Sequence, residues 1–265
     1  MTCPIYLALF ISHTDRIQKM KRFFKDIETN QLLYRVMPYL LMELLGKYFR
    51  LEVEGVENLP RRGPGLITPN HSGYAGFDAV MLMHEIQKGT GRIPRMLTHP
   101  FWFLSPTTAI PATKAGFLEA TIDNGLRQLQ KNNLVVIFPE GEFGNFKATS
   151  KRYHLQEFKR GFVRMALQQQ CPIIPTLVLG AEETHINLGQ LKLNKYLPGA
   201  VLPLPLNIVP LPSKWKIIFL EPILLPYNSQ AVDDRELVLE LSQQIRETMQ
   251  KRLSAEVAKR GSAFF

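Results

Sequence analysis

His71 and Asp78 are the side chains of this sequence best placed to do chemistry. Six residues lie between them, Ser72-Gly73-Tyr74-Ala75-Gly76-Phe77, and two of the six are glycine. A histidine can take a proton from a hydroxyl at neutral pH, and a carboxylate beside it fixes the tautomer in which it does so. The glycines let the backbone turn sharply and leave room for a substrate. Asp78 also suits the N-cap of a following helix, where aspartate satisfies free backbone N–H groups. The two roles are compatible.

Such a pair needs a strand before it and a helix after it. Pro64-Gly65-Leu66-Ile67-Thr68-Pro69 reads as a short apolar strand entered from a turn, and 79–88 repeats apolar residues at helical spacing. In open α/β sheets, sites form at the C-terminal ends of strands, which is where this loop falls. The pattern then repeats. A helix over 118–131 leads into the apolar run Leu134-Val135-Val136-Ile137-Phe138, which ends at Pro139-Glu140-Gly141-Glu142. Another helix carries Phe158, Phe162 and Met165, and the fully apolar strand 172–179 follows. Strands buried on both faces and alternating with helices predict an α/β fold: a mainly parallel sheet flanked by helices. Strands are also expected at 49–56, 93–97 and 215–220, and an amphipathic helix closes the chain from Asp233.

The segment before the sheet differs. Residues 14–30 mix Arg16, Lys19, Lys21, Arg22 and Lys25 with Ile17, Met20, Phe23 and Phe24, and apolar pairs recur every four residues from Leu32 to Leu45. This predicts an N-terminal amphipathic two-helix extension over 1–48, packed on the core or lying on a membrane surface, ahead of an α/β domain over 49–265. Residues 197–212 hold five prolines among apolar residues, a density that neither a helix nor a central strand tolerates. Two readings fit, an apolar loop packed on the sheet and a loop dipping into lipid.

With 265 residues the chain can bury a substantial core. A formal charge of +9 calls for an anionic partner. The basic residues are interleaved with apolar surface rather than arranged as a nucleic-acid-binding module, which argues against nucleic acid. Two cysteines, Cys3 and Cys171, suggest neither a disulfide framework nor a metal site. Met1 to Ile11 lacks a basic leader region and reads as a poor signal peptide. No stretch reaches the ~18 to 20 apolar residues of a membrane-spanning helix. Zinc-ligand spacing, Gly-x-Ser-x-Gly and phosphate-loop motifs are all missing, so no metal or cofactor is expected.

Taken in order, Asn70-His71 through Asp78, Phe138-Pro139-Glu140-Gly141 and Cys171-Pro172-Ile173-Ile174-Pro175 resemble the motif blocks of the glycerolipid acyltransferase superfamily, which contains the lysophosphatidic acid acyltransferases. The likeness covers roughly residues 50–185. It implies transfer of a fatty acyl group from a coenzyme A or acyl carrier protein thioester to a lipid hydroxyl. His71 would be the general base, Asp78 its orienting carboxylate, and Asn70, Glu140 and Gly141 substrate-binding residues. It also implies work at the cytoplasmic face of a membrane as a peripheral or monotopic protein. Two departures stand out. The usual motif places the aspartate after four intervening residues, where this chain has Gly76. The arginine that usually follows the Phe-Pro-Glu-Gly block is also missing, leaving Lys114, Lys147, Lys151 and Arg152 either to supply charge to a phosphate or to form a solvated face. The competing expectation is a non-catalytic protein that binds acyl chains at a membrane surface.

Overall fold

The structure is a computed structural model, and it describes residues 36–71, 76–145, 147–192 and 201–264. The basic segment 14–30 lies outside the described residues. The chain divides into two compact units, Met1–Glu43 and Leu44–Phe265. Helix α1 (Met37–Tyr48) contributes its opening turns to the first, and those turns are what is described of it. Among the described residues no helix is long and apolar enough to cross a membrane.

The second unit is an α/β fold. In chain order it carries β1 (Glu52–Glu54), β2 (Gly65–Pro69), α2 (Phe77–Thr90), β3 (Arg95–Thr98), α3 (Pro106–Ala115) and β4 (Phe117–Glu119). There follow α4 (Ile122–Gln130), β5 (Leu134–Ile137), the single turn α5 (Glu142–Asn145), α6 (Gly161–Gln169) and β6 (Ile173–Leu179). The chain ends with β7 (Asn187–Lys192), β8 (Val201–Pro205), β9 (Lys216–Phe219) and α7 (Arg235–Lys259). Seven strands form one sheet in the order β1-β9-β6-β2-β5-β3-β4, and β7 pairs with β8 in a separate two-stranded sheet. Every pairing in the large sheet is parallel except β6 with β9.

Hydropathy sets this order. β2 and β6 are buried at every residue and sit side by side in the middle, while β1 and β4, which keep charged Glu52, Glu54 and Glu119 in solvent, take the edges. Side chains alternate across a strand. Leu66, Val135, Ile173 and Leu177 therefore join one core with Phe162 and Met165 of α6 and Leu241, Ile245, Met249 and Leu253 of α7. Ile67, Val136 and Ile174 take the opposite face and are equally buried. Each such side chain contributes about 1.5 to 3 kcal/mol relative to exposure.

The sheet departs from the sequence expectation at its margins. The helix expected over 118–131 begins only at Ile122, because Thr121 caps it by accepting from Asn124 N, and Phe117–Glu119 pairs with β3 as β4. α3 begins behind the Ser105 cap, with Pro106 in its first turn where a missing N–H costs nothing. The 215–220 strand forms as β9 but runs antiparallel to β6. Part of the proline-rich stretch is a strand after all. β8 carries Pro203 and Pro205, which a two-stranded sheet tolerates because each strand has a free edge.

Candidate active site

Three neighbouring parallel strands, β6, β2 and β5, deliver their C-terminal loops to one place. Asn70 leaves β2 by extending its pairing with β6: its backbone N–H donates to Thr176 O at 3.2 Å. Its side chain goes on in the same way, Nδ2 donating to Val178 O at 3.1 Å and Oδ1 accepting from Val178 N at 2.7 Å. A fully buried amide thus stands in for a strand residue, and it fixes where the next residue, His71, begins.

The His71 imidazole places Nδ1 2.7 Å from Asp78 Oδ2, with Asp78 fully buried and 14% of the His71 side chain exposed. A carboxylate only accepts, so Nδ1 is the donor and Nε2 is left as the basic nitrogen. Phe138 backs the ring in a stacked contact, with centroids 4.1 Å apart. Asp78 lies in the first turn of α2, where the helix dipole favours negative charge, and its Oδ1 accepts from Ala79 N at 2.8 Å. The cap itself is Gly76, held at φ 74°. Gly76 is the position at which the resembling motif would put its aspartate. Starting α2 there brings Asp78, two residues further on, onto His71.

Glu140 locks the backbone of this arrangement. Its Oε1 accepts from His71 N at 2.9 Å and its Oε2 from Gln156 N at 2.7 Å, and the residue is fully buried. Lys147 Nζ lies 3.4 Å from Glu140 Oε2 and 3.0 Å from Glu182 Oε1. Glu182, in the loop after β6, accepts from Tyr153 N through Oε2 at 2.7 Å. One ammonium therefore serves two carboxylates. Burial by itself would lower the Lys147 ammonium, yet the combined pull of Glu182 and Glu140 holds it above the ordinary lysine range. Burial pushes the Glu182 carboxyl up to about 6, and Lys147 offsets this only in part. With negative charge in excess in this cluster, Glu182 is the group burial drives towards protonation. From behind, α7 braces the segment, with Gln250 accepting from Leu155 N at 2.8 Å and donating to Tyr153 O at 2.9 Å.

Two glycines close the packing. Gly141 has φ 58° and lies under the Lys159 side chain, whose Nζ would be 2.9 Å from an added Cβ. At Gly144 in α5, an added Cβ would lie 2.5 Å from Glu140 Cβ and 2.9 Å from His71 Cβ.

The structure thus brings His71 and Asp78 together as the sequence expects, with Glu140 and Gly141 beside them. It corrects three substrate-binding expectations. Asn70 and Glu140 are fully buried with their polar atoms on protein partners, so they position His71 rather than face a ligand. Lys147 is buried and paired with carboxylates, which takes it out of the cations available to a phosphate. Lys151 and Arg152 are exposed on a 3-10 turn over Thr149–Lys151 and its C-cap. Asp78 is not the helix cap. Gly144, Gln156 and Glu182 belong to the site without having been singled out, and Phe138, quoted only as part of a motif block, was given no role of its own. Only Phe138, the last apolar residue before the Pro-Glu-Gly turn, carried a local signal.

A family model described as acyltransferase matches residues 50–179, the span that contains β1 through β6. An uncharacterized protein of Mycobacterium tuberculosis is 39% identical over 240 residues, covering 85% of this chain and 67% of that protein. A Bos taurus protein described as a DGAT1/2-independent enzyme synthesizing storage lipids is 26% identical over 196 residues, covering 73% of this chain and 58% of its own length. Among solved structures, the 1-acyl-sn-glycerophosphate (LPA) acyltransferase PlsC from Thermotoga maritima superposes with a TM-score of 0.53 over 93% of each chain at 15% identity, a likeness of fold.

Proposed function

This chain belongs to the acyltransferase family, and on that premise we propose that it moves a fatty acyl group from a coenzyme A or acyl carrier protein thioester to a lipid hydroxyl. The observation that carries the reading is the 2.7 Å contact between His71 Nδ1 and the buried Asp78 carboxylate. An alcohol is a weak nucleophile at neutral pH, and a base in hydrogen-bond reach is typically worth about 10² to 10⁴ in rate. His71 Nε2 takes the acceptor's hydroxyl proton as the oxygen bonds to the thioester carbonyl carbon. The tetrahedral centre then collapses, the C–S bond breaks, and the proton passes from Nε2 to the departing thiolate. Asp78 keeps Nδ1 protonated throughout and stabilises the imidazolium. No acyl-enzyme forms.

The acceptor in this reading is a lysophospholipid or a related lipid alcohol, met at the cytoplasmic face of a membrane where the protein sits peripherally. Of the expected cations, Lys114, Lys151 and Arg152 remain exposed and able to meet a phosphate-bearing acceptor. The storage-lipid relative supports a neutral one. Labelled acyl-CoA and acyl carrier protein thioesters, offered with lysophosphatidate, lysophospholipids, diacylglycerol and a long-chain alcohol, test the proposal. Transfer to one class that falls in Lys151→Ala/Arg152→Ala identifies a phosphate acceptor, and transfer indifferent to both substitutions identifies a neutral one. Saturable acyl binding without transfer to any acceptor would replace this reading with a lipid-binding one.

A further inference from the structure

The turn that follows β8 exposes apolar side chains by construction. Leu206 is 67% exposed, Ile208 86% and Val209 75%, and Leu188 on β7 is 68% exposed. The backbone beneath them is fixed. Leu206 N donates to Ile186 O at 2.8 Å, and Asn207 accepts from Ile186 N at 2.8 Å while donating to Thr184 O and Val209 O at 2.9 and 2.7 Å. The polar residue of the turn faces inward to satisfy backbone groups, and its apolar neighbours are held in solvent. That is the reverse of an ordinary surface loop.

The end of α1 adjoins this turn. Tyr48 Oη donates to Pro210 O at 2.7 Å, and the Arg50 guanidinium donates to Pro212 O. Leu44, one helical turn before Tyr48, is 64% exposed, and the cations Lys47 and Arg50 on either side of Tyr48 are exposed as well. The turn is also tied to the catalytic centre. His185, just before β7, stacks on Phe77, the neighbour of Asp78, at 6.3 Å, and Asn187 Nδ2 donates to Lys147 O at 2.9 Å.

We propose that the 206–209 turn, with Leu44 and Tyr48, is a docking surface for a bilayer carrying anionic lipid, which it engages by inserting Leu206, Ile208 and Val209 between headgroups while Lys47 and Arg50 meet the phosphates. Exposed apolar side chains with the two cations Lys47 and Arg50 on the adjoining end of α1 match that occupant on both counts. A second copy of the chain matches less well, because each copy carries +9. A nucleic acid gives an exposed isoleucine nothing to bury against. The inference deepens the reading above and rests on it for the purpose of docking, which is to bring the site to a surface that holds its acceptor. Binding itself does not depend on turnover.

The test uses the full chain with vesicles of phosphatidylcholine alone and of phosphatidylcholine with phosphatidylglycerol. The triple variant Leu206→Asn, Ile208→Asn and Val209→Asn is expected to lower partition onto the anionic vesicles at least about tenfold. Lys47→Gln lowers it about fivefold on anionic vesicles and not on neutral ones. Val209→Cys carrying an environment-sensitive fluorophore, in a Cys3→Ser background where the remaining Cys171 is buried, shifts to the blue on vesicle addition. Transfer to a short-chain acceptor dissolved as monomers stays at the wild-type rate in the triple variant, whereas transfer to the same headgroup in vesicles falls. Wild-type partition in the triple variant, or a label that stays in water on saturating vesicles, would overturn the proposal. So would a wild-type dimer that the triple variant dissociates without any effect on vesicle binding. Patch-dependent vesicle binding with no acceptor turned over would leave docking standing and remove the catalytic reading instead.

Discussion

Replacing Gly144 by alanine adds one methyl group at the point where three parts of the site meet. Gly144 does not have a positive φ, so the alanine backbone is unstrained and the effect is steric. The new Cβ would lie 2.5 Å from Glu140 Cβ, 2.9 Å from His71 Cβ and 3.0 Å from Glu140 Cδ. Carbon atoms pack at roughly 3.5 to 4.0 Å, so the overlap is about 1 Å. Glu140 cannot retreat without loosening its bonds to His71 N, Gln156 N and Lys147, and His71 cannot retreat without leaving Asp78. Overpacking of this kind costs about 1 to 3 kcal/mol. In a domain of this size each kcal/mol lowers Tm by roughly 2 to 4 °C. A shift of the base of the order of 1 Å costs about 10² in kcat/KM. Calorimetry and acyl-transfer kinetics on Gly144→Ala read both effects. Gly189→Ala, where an added Cβ meets nothing, is the control and should be neutral. A Gly144→Ala protein with wild-type Tm and wild-type transfer would refute the close packing of α5 on His71 and Glu140.

Three further outcomes follow from the same geometry. Asp78→Asn keeps the packing, but with Ala79 N on the amide oxygen it points Nδ2 at His71 Nδ1; this forces the proton onto Nε2, and transfer should fall by about 10² to 10⁴ with little change in Tm. Asn70→Leu strips buried Val178 of partners for both its N–H and its C=O, which should cost roughly 1 to 3 kcal/mol per group in urea titrations. For Glu182, a folded pKa of about 6 lies above the ordinary carboxylate value, so its contribution to stability is fully present below about pH 4.5 and is lost as pH rises through about 6. The stability of Glu182→Gln should therefore gain on wild type between those pH values; a variant that loses ground instead would show that Lys147 outweighs burial.

The centre of the fold and the central pair of the site were legible because both are local. The apolar runs at β2, β5 and β6 announce strands buried on both faces, and His71 and Asp78 sit within one strand-to-helix turn. What the sequence hid depends on distance along the chain. Asn70 is held by Val178, 108 positions away, and the bonds of Glu140 reach back to His71 and forward to Gln156. A motif comparison therefore makes both residues look like ligands of a substrate, when the partners of Asn70 are backbone groups and those of Glu140 are two backbone N–H groups and the Lys147 ammonium. β4 has only three residues, too few to show a period, and it exists because β3 offers it a free edge. The direction of β9, antiparallel to β6 and parallel to β1, cannot be read from its own four residues. Gly144 reads as an ordinary loop glycine until the two Cβ atoms beside it are placed.

The central claim is that His71 removes the acceptor's proton. Single-turnover transfer from a bound, labelled acyl thioester should be compared in wild type and His71→Ala, with circular dichroism and Tm confirming the fold and thioester binding measured separately. The account predicts thioester binding within about twofold of wild type and transfer slowed by on the order of 10² to 10⁴. A His71→Ala protein that binds the thioester and transfers it at the wild-type rate would contradict it.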